Sequence, residues 1–128
     1  MGSPFKNKGS DFKWMEFDKV TLNNLIQDNR IILLDFTADW CTNCKVFERQ
    51  FLKTPETMKL FAQHQVIPLV ADLTKTDSEL WGLLGELGRN GLPVYVIYHS
   101  DGRREVLPEG PPLTLQSRIE ALTQKEKR

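Results

Sequence analysis

The sequence predicts one α/β domain in which a central mixed β-sheet carries helices on both of its faces. Strand-like and helix-like segments alternate through most of the 128 residues, which is the pattern of a sheet covered by helices. Near the end, two strand-like segments, 94–98 and 105–107, flank a Ser-Asp-Gly-Arg turn, so the sheet should also contain an antiparallel hairpin. The length fits a single domain of ordinary size.

Composition excludes several classes of protein. Lys plus Arg number 17 and Asp plus Glu number 17, so the formal net charge is zero, which argues against a nucleic-acid partner. A hydrophobic content of 40% is enough for a packed core and too high for a disordered chain. No unbroken apolar run approaches the roughly 20 residues of a membrane-spanning helix. We therefore expect a soluble, monomeric domain.

The ends of the chain are predicted to lie outside this domain. Residues 1–11 are rich in Gly, Ser and Pro and lack the basic and apolar regions of a signal peptide. We interpret them as a flexible lead or a cloning scar. The domain itself is predicted to span 12–124, and the charged tail 125–128 is expected to fray.

The first four elements follow from local patterns. Residues 12–17 alternate weakly and are predicted as an edge strand, and 20–28 have the apolar spacing of a helix. Ile31–Phe36 is a short apolar run typical of a strand covered on both faces. The apolar positions after Cys41 predict a second helix, through Leu52.

A third helix and a second buried strand come next. Thr54 and Pro55 have the order of a helix cap followed by a first-turn proline. Residues 66–71 are apolar and predict a strand, although Pro68 within them cannot donate to a ladder.

Two further helices are predicted from their ends. Asp77 is a suitable cap for a helix that stops at Gly88. Thr114 is a suitable cap for the last helix, whose apolar face includes Leu115 and Ile119.

Cys41 and Cys44 stand where a helix should begin after the buried strand. A thiol at a helix N-terminus faces unpaired backbone N–H groups, which favour its thiolate. Cys44 follows one turn later and can close a disulfide with Cys41. We therefore expect Cys41 to attack the disulfide of a partner protein and Cys44 to resolve the mixed disulfide.

Two other roles for the cysteine pair fit the sequence less well. A structural disulfide that encloses two residues would constrain little entropy. A zinc site needs four ligands, and the two histidines, His64 and His99, form no ligand-like cluster with the pair. The redox role is favoured, with no metal and no cofactor other than the disulfide itself.

Two motifs of the chain resemble those of the thioredoxin superfamily: Trp40–Lys45 after an apolar strand, and Gly91–Pro93 before a later strand. The longer string 35–48, together with Ala71–Thr74, is similar to the C-terminal thioredoxin-like domain of bacterial membrane thiol:disulfide interchange proteins, the DsbD family. The likeness covers about residues 12–122. Between the cysteines, Thr-Asn replaces the Gly-Pro of thioredoxins and the Val-Ala of this branch, a change that bears on the redox potential and leaves the reaction the same.

The resemblance implies a thioredoxin-like fold and a protein-disulfide reductase in the periplasm. In that family the domain belongs to an inner-membrane protein. It takes electrons from a membrane-embedded domain and passes them to a periplasmic acceptor domain of the same protein, which supplies periplasmic isomerases and cytochrome c biogenesis. The other interpretation is a free-standing thioredoxin-like protein that reduces protein disulfides generally.

The resemblance also implies roles for single residues. Pro93 takes the place of the active-site cis-proline, and Asp35 and Glu48 match acids near the cysteines. On a buried strand a carboxylate is costly unless it has a partner or a role, so Asp35 is expected to accept the proton of Cys44. Glu48 is expected to tune the acidity of the thiols. The alternatives are a strand-end acid that reaches solvent for Asp35 and an ordinary exposed helix acid for Glu48.

The surface around the cysteines should bind the partner. Trp40 and Leu92 are expected to form the docking surface for substrate proteins. Asp39 and Lys45 are interpreted as solvated flanks of the motif.

Overall fold

The structure, a computed structural model, describes residues 13–75 and 78–126. In these residues five strands form one sheet: β1 Met15–Glu16, β2 Ile31–Thr37, β3 Val66–Asp72, β4 Val94–Tyr98 and β5 Arg104–Val106. The helices are α1 Lys19–Gln27, α2 Thr42–Phe47, α3 Pro55–His64, α4 Ser78–Glu86 and α5 Leu115–Glu126. A π-helical segment, Glu48–Leu52, directly continues α2.

The sheet is mixed, with the strand order β1-β3-β2-β4-β5. β3 is parallel to both β1 and β2, whereas β4 is antiparallel to β2 and to β5. β2 therefore lies at the centre, with hydrogen-bonded neighbours along both of its edges.

Helices cover both faces of the sheet. Side chains of β2 alternate between the faces, since successive residues of a strand point to opposite sides. Ile32, Leu34 and Phe36 pack with the buried leucines of α1 and α4. Ile31 and Leu33 pack with apolar residues of the π-helical segment, α3 and α5. The predicted α/β architecture is confirmed.

The predicted strands agree with the structure apart from small shifts at their ends. The first strand is only two residues long and lies at the edge, as expected. Pro68, which has no N–H to donate, does lie in β3. It is tolerated there because β1 is short. That strand pairs only with Leu69 and Val70, so at Pro68 β3 has a partner on the β2 side alone. The last strand begins one residue earlier than predicted.

Local signals also identified most helix ends. The hydroxyl of Thr54 accepts a hydrogen bond from the N–H of Thr57 at 3.1 Å and caps α3. Gly88 has φ 79° after α4, a left-handed conformation that glycine adopts without strain. The proposed cap Asp77 lies outside the described residues. The apolar pattern predicted one continuous helix after Cys41, whereas the structure has a short α-helix followed by a π-helical turn.

The predicted division of the chain stays a prediction. The lead 1–11 lies outside the described residues, and α5 continues to Glu126, into the predicted tail. Within residues 13–75 and 78–126, no helix is both long and apolar enough to cross a membrane.

The cap of α3 provides a test of how the fold is held beside the π-helical segment. Thr54 accepts a hydrogen bond from the N–H of Thr57. The hydroxyl of Thr57 in turn donates to the carbonyl of Phe51 at 2.6 Å, so the start of this helix is bonded to the preceding turn. We expect Thr54→Ala to lower the free energy of unfolding by about 1 kcal/mol, since the N–H of Thr57 loses its acceptor. Urea unfolding measures this loss. Thr54→Ser keeps the acceptor and should stay close to the parent protein; an equal loss in both variants would contradict the capping role.

Candidate active site

The two cysteines lie at the start of α2, after the loop that leaves β2. The N–H of Cys41 donates to the carbonyl of Ala38 at 3.1 Å, which fixes the loop as a tight turn. Cys41 has extended backbone angles and is the N-cap of α2, and its sulfur accepts from the N–H of Cys44 at 3.2 Å. A backbone N–H at the helix start is therefore directed at the Cys41 sulfur.

Cys41 and Cys44 form a disulfide, with their Cα atoms 5.3 Å apart. Cys44 is fully buried, whereas 8% of Cys41 remains exposed. A partner protein can therefore reach Cys41 more readily than Cys44. This difference in exposure agrees with the predicted attacking and resolving roles, which themselves stay predictions.

The residues predicted to meet a partner protein surround this disulfide. Leu92 packs against the cluster formed by Ala38 and the two cysteines. The bond between Leu92 and Pro93 is cis, the conformation that the resemblance implied for Pro93. Trp40, next to Cys41, has 58% of its surface exposed. A large aromatic side chain in solvent beside a reactive group is available for docking.

Asp35 is buried on β2 with only 2% of its surface exposed. Its Oδ1 atom has no hydrogen-bond partner among the described residues. Burial raises the pKa of Asp35 well above its usual range, the negative Glu48 raises it further, and Lys53 and Lys45 oppose the change. The alternative of a strand-end acid that reaches solvent is thus excluded. A carboxyl group with a raised pKa holds its proton to a higher pH than an ordinary carboxyl group does. The role of proton acceptor for Asp35 stays a prediction.

Glu48, the first residue of the π-helical segment, is also buried, with 6% of its surface exposed. Its Oε2 accepts a hydrogen bond from the hydroxyl of Thr37 at 2.6 Å. Its Oε1 lies 3.6 Å from the Nζ atoms of both Lys45 and Lys53. Glu48 is therefore not an ordinary exposed helix acid. Its predicted effect on thiol acidity stays a prediction.

The side chain of Lys45 is 43% exposed, in agreement with a solvated flank, and its Nζ also lies 3.6 Å from Asp39 Oδ1. Asp39 itself is exposed, as expected, and its N–H donates to the hydroxyl of Thr74 at 2.8 Å. That hydroxyl donates to Asp72, and this hydrogen bond lowers the pKa of Asp72. The turn before Cys41 is thus held by polar contacts from the end of β3.

Tyr95 is a member of this buried polar group that the sequence analysis did not identify. It lies on β4 directly opposite Asp35, so the two side chains lie on one face of the sheet. Its hydroxyl is buried without a hydrogen-bond partner among the described residues. Burial raises the pKa of Tyr95, and the charges of Asp35 and Glu48 add to the effect. The sequence of β4 looks apolar and gives no sign that Tyr95 lies beside an acid. Only the register of β2 against β4 identifies Tyr95 as a neighbour of Asp35.

The described part of the chain contains no group of three or more His, Cys, Asp or Glu side chains placed to hold a metal ion. The chemistry that the arrangement can perform is thiol–disulfide exchange at Cys41, with buried carboxyl groups available as proton carriers.

Comparison with known proteins agrees with this geometry. A family model described as thioredoxin-like matches residues 13–100. The thiol:disulfide interchange protein DsbD of Photorhabdus laumondii is 30% identical over 90 residues, which are 70% of this chain and 15% of that protein. The chain thus spans about one seventh of the length of this curated relative.

Solved structures agree in fold. The C-terminal domain of DsbD from Neisseria meningitidis in its oxidised form aligns with a TM-score of 0.64 and 27% identity, over 84% of this chain and 98% of that one. A single-residue mutant of thioredoxin from Halobacterium salinarum aligns with a TM-score of 0.65 and 25% identity, over 92% and 96% of the two chains. These structures confirm the predicted thioredoxin-like fold.

The burial of Asp35 predicts how stability depends on pH. Consider pH values between the ordinary aspartate pKa of 3.8 and the raised pKa of Asp35 in the folded state. In this pH range Asp35 is protonated in the folded chain and ionised in the unfolded chain. The free energy of unfolding should therefore fall as the pH rises through that window. The fall is about 1.4 kcal/mol for each pH unit between the two pKa values.

Asp35→Asn should remove this contribution and flatten the dependence, because the amide does not titrate. Urea unfolding of the oxidised protein over a series of pH values measures the difference between variant and parent. Asp39→Asn, which changes an exposed carboxylate in the same region, is the control and should retain the slope. Parallel curves for the parent protein and Asp35→Asn would contradict a raised pKa.

Proposed function

The chain belongs to the thioredoxin-like family, and from this premise we propose that it is a thiol:disulfide oxidoreductase domain that reduces disulfides of partner proteins. The observation that carries the proposal is the Cys41–Cys44 disulfide at the N-terminus of α2, in which 8% of Cys41 remains exposed and Cys44 is fully buried. No other cofactor is needed, because the disulfide itself accepts and donates the two electrons.

The proposed reaction has two exchange steps. In the reduced domain the Cys41 thiolate attacks a partner disulfide, forms a mixed disulfide and releases one partner thiolate. The Cys44 thiol then loses its proton and attacks the Cys41 sulfur, which releases the second partner thiolate and forms the internal disulfide. Asp35 is the proposed acceptor of the Cys44 proton, and its burial next to a second acid supports an exchangeable proton there.

We further propose that the domain works as a relay in the periplasm, as part of an inner-membrane thiol:disulfide interchange protein. Identity of 30% to DsbD of Photorhabdus laumondii and the fold shared with the Neisseria meningitidis DsbD C-terminal domain support this placement. The proposed partners are a membrane-embedded donor domain and a periplasmic acceptor domain of the same protein. Cytochrome c biogenesis is the proposed process served downstream.

Partner proteins are proposed to dock at the Cys41 side of the disulfide, the less deeply buried of its two residues. Trp40, which is largely in solvent, and Leu92, which packs on the disulfide cluster, lie on this surface. A relay has to release its product quickly, so the contact should be small and transient.

A free-standing thioredoxin-like reductase is the second candidate function. The alignment with the Halobacterium salinarum thioredoxin mutant, at 25% identity over 92% of this chain, favours it. The two candidates share the chemistry at Cys41 and differ in the protein that reduces the domain.

The roles of the two cysteines can be separated by substitution. Cys41→Ser should abolish the reduction of insulin disulfides, because the attacking thiol is lost. Cys44→Ser should retain the first step and accumulate mixed disulfides, since nothing resolves them. Non-reducing electrophoresis with a disulfide-containing partner measures the trapped species, and the double variant is the control. Trapping by Cys41→Ser in place of Cys44→Ser would reverse the assigned roles.

The source of electrons separates the two candidate functions. A relay domain takes electrons from its own membrane partner, so we expect slow reduction of the oxidised domain by NADPH and thioredoxin reductase. An authentic thioredoxin is the positive control, and dithiothreitol verifies that the disulfide can be reduced. Turnover comparable to that of the thioredoxin would favour the free-standing reductase. Membrane-spanning segments encoded upstream in the parent gene would favour the relay.

A further inference from the structure

Asn90 and Gly91 lie in the connection that leads from α4 to the cis bond beside the disulfide. Both residues are exposed, and neither belongs to a helix or a strand. The N–H of Gly91 has no hydrogen-bond partner among the described residues. A Cβ atom placed on Gly91 would have no atom within 4 Å, apart from those of its two chain neighbours. The backbone nitrogen of Gly91 is therefore neither bonded nor crowded.

An asparagine that precedes glycine can react with its own backbone. The nitrogen of the glycine gives its proton to solvent and attacks the side-chain amide carbon, and the amide nitrogen leaves as ammonia. Water then opens the resulting five-membered succinimide ring, at one carbonyl to aspartate and at the other to isoaspartate. Glycine favours the attack because it has no side chain and reaches conformations that other residues avoid. The reaction consumes one water molecule, releases one ammonia and transfers no electrons.

The other described asparagines share a feature that opposes this reaction, because the N–H of the residue that follows each of them is hydrogen-bonded. They are Asn23, Asn24, Asn29 and Asn43. The first two lie in α1, where the helix itself supplies the acceptor. Arg30, after the third, donates to the carbonyl of Leu25 at 3.0 Å. Cys44, after the fourth, donates to the sulfur of Cys41 at 3.2 Å.

The turn at Asp101 and Gly102 provides a second comparison, since an aspartate that precedes glycine can form the same ring with loss of water. The N–H of Gly102 donates to the carbonyl of His99 at 2.9 Å. The carboxyl group of Asp101 accepts a hydrogen bond from the N–H of Arg103 at 3.0 Å, which lowers the pKa of Asp101. An ionised carboxylate is a poor target for a nucleophile. The two residue pairs that end in glycine therefore differ in both reacting groups.

The place of Asn90 in the fold decides what its conversion changes. Gly91 directly precedes Leu92, which packs against the disulfide cluster and forms the cis bond with Pro93. Aspartate at position 90 adds a negative charge to this connection. Isoaspartate also lengthens the main chain by one carbon, because the backbone then runs through the former side chain. Either product alters the segment that presents Leu92.

We propose that Asn90 is a spontaneous modification site, at which attack by the Gly91 nitrogen produces aspartate and isoaspartate and thereby slows exchange with partner proteins. The modification itself is independent of the proposed oxidoreductase function, whereas its effect on exchange rests on that function. The effect arises at Leu92, which belongs to the proposed docking surface, and the disulfide stays chemically intact.

The test of the chemistry is incubation of the oxidised domain at mildly alkaline pH, which favours loss of the proton from the Gly91 nitrogen. The oxidised domain has no free cysteine, so its disulfide does not rearrange. Cleavage with pepsin in acid stops the reaction, and mass spectrometry follows the peptide that contains Asn90. A growing fraction should have the mass of a carboxyl group in place of the amide, in two chromatographic forms. A synthetic peptide of residues 86–96 is the positive control, and an unchanged protein beside a converted peptide would overturn the proposal.

Two variants and two internal controls make the result specific. Gly91→Ala adds a methyl group that the fold accommodates and should slow the conversion several-fold. Asn90→Gln would have to form a six-membered ring and should lose the conversion. Asn29 and Asn43, measured in the same samples, should stay unmodified. Conversion of either as fast as that of Asn90 would overturn the role of the unbonded N–H.

Insulin reduction measures the effect on exchange and distinguishes failure of this inference from failure of the proposed function. The incubated parent protein should lose rate in proportion to its modified fraction, whereas Asn90→Gln should keep its own starting rate. Complete conversion of Asn90 with an unchanged rate would overturn the effect on exchange. If the fresh parent protein does not reduce insulin but Asn90 converts, the oxidoreductase proposal fails and the modification site stands.

Discussion

The complete enclosure of β2 is the constraint on which both the fold and the site depend. This strand has neighbours along both edges and helices over both faces, and each of its seven residues is buried. Six of the seven positions suit such a place because they are apolar or, like Thr37, hydrogen-bonded. Asp35 does not suit it. Burial in the most enclosed strand disfavours a charged carboxyl group, and it raises the pKa of Asp35 well above its usual range.

The same strand sets the position of the cysteines. β2 ends at Thr37 and is followed by a tight turn, in which the N–H of Cys41 donates to the carbonyl of Ala38. The turn leads directly into α2. The strand therefore places an acid in the interior and is followed, a few residues later, by the disulfide at the start of α2. Glu48 comes from the far end of the helix that the disulfide begins, so one helix connects the reactive sulfurs to the second buried acid.

Local sequence signals were sufficient for most of the fold and for the cysteine pair. The apolar run of β2, the cap at Thr54 and the glycine after α4 each depend on a few adjacent residues, and each was identified. The features that were missed depend on distant contacts. Tyr95 meets Asp35 only through strand register, and Lys53 meets Glu48 only because the helix widens into a π turn. The apolar spacing through this segment also fits an ordinary α-helix, so periodicity alone could not reveal the turn.

Both edge strands of the sheet are very short. β1 has two residues and β5 has three, whereas β2, β3 and β4 have seven, seven and five. An exposed edge strand is a template on which another chain can add a strand, and short edge strands are one way in which proteins prevent such self-association. A domain that exchanges disulfides with other polypeptides, as proposed above, gains from this arrangement. β2, which has hydrogen-bonded neighbours along both edges, cannot pair with a strand of another chain, whereas 8% of Cys41 remains accessible to a partner protein.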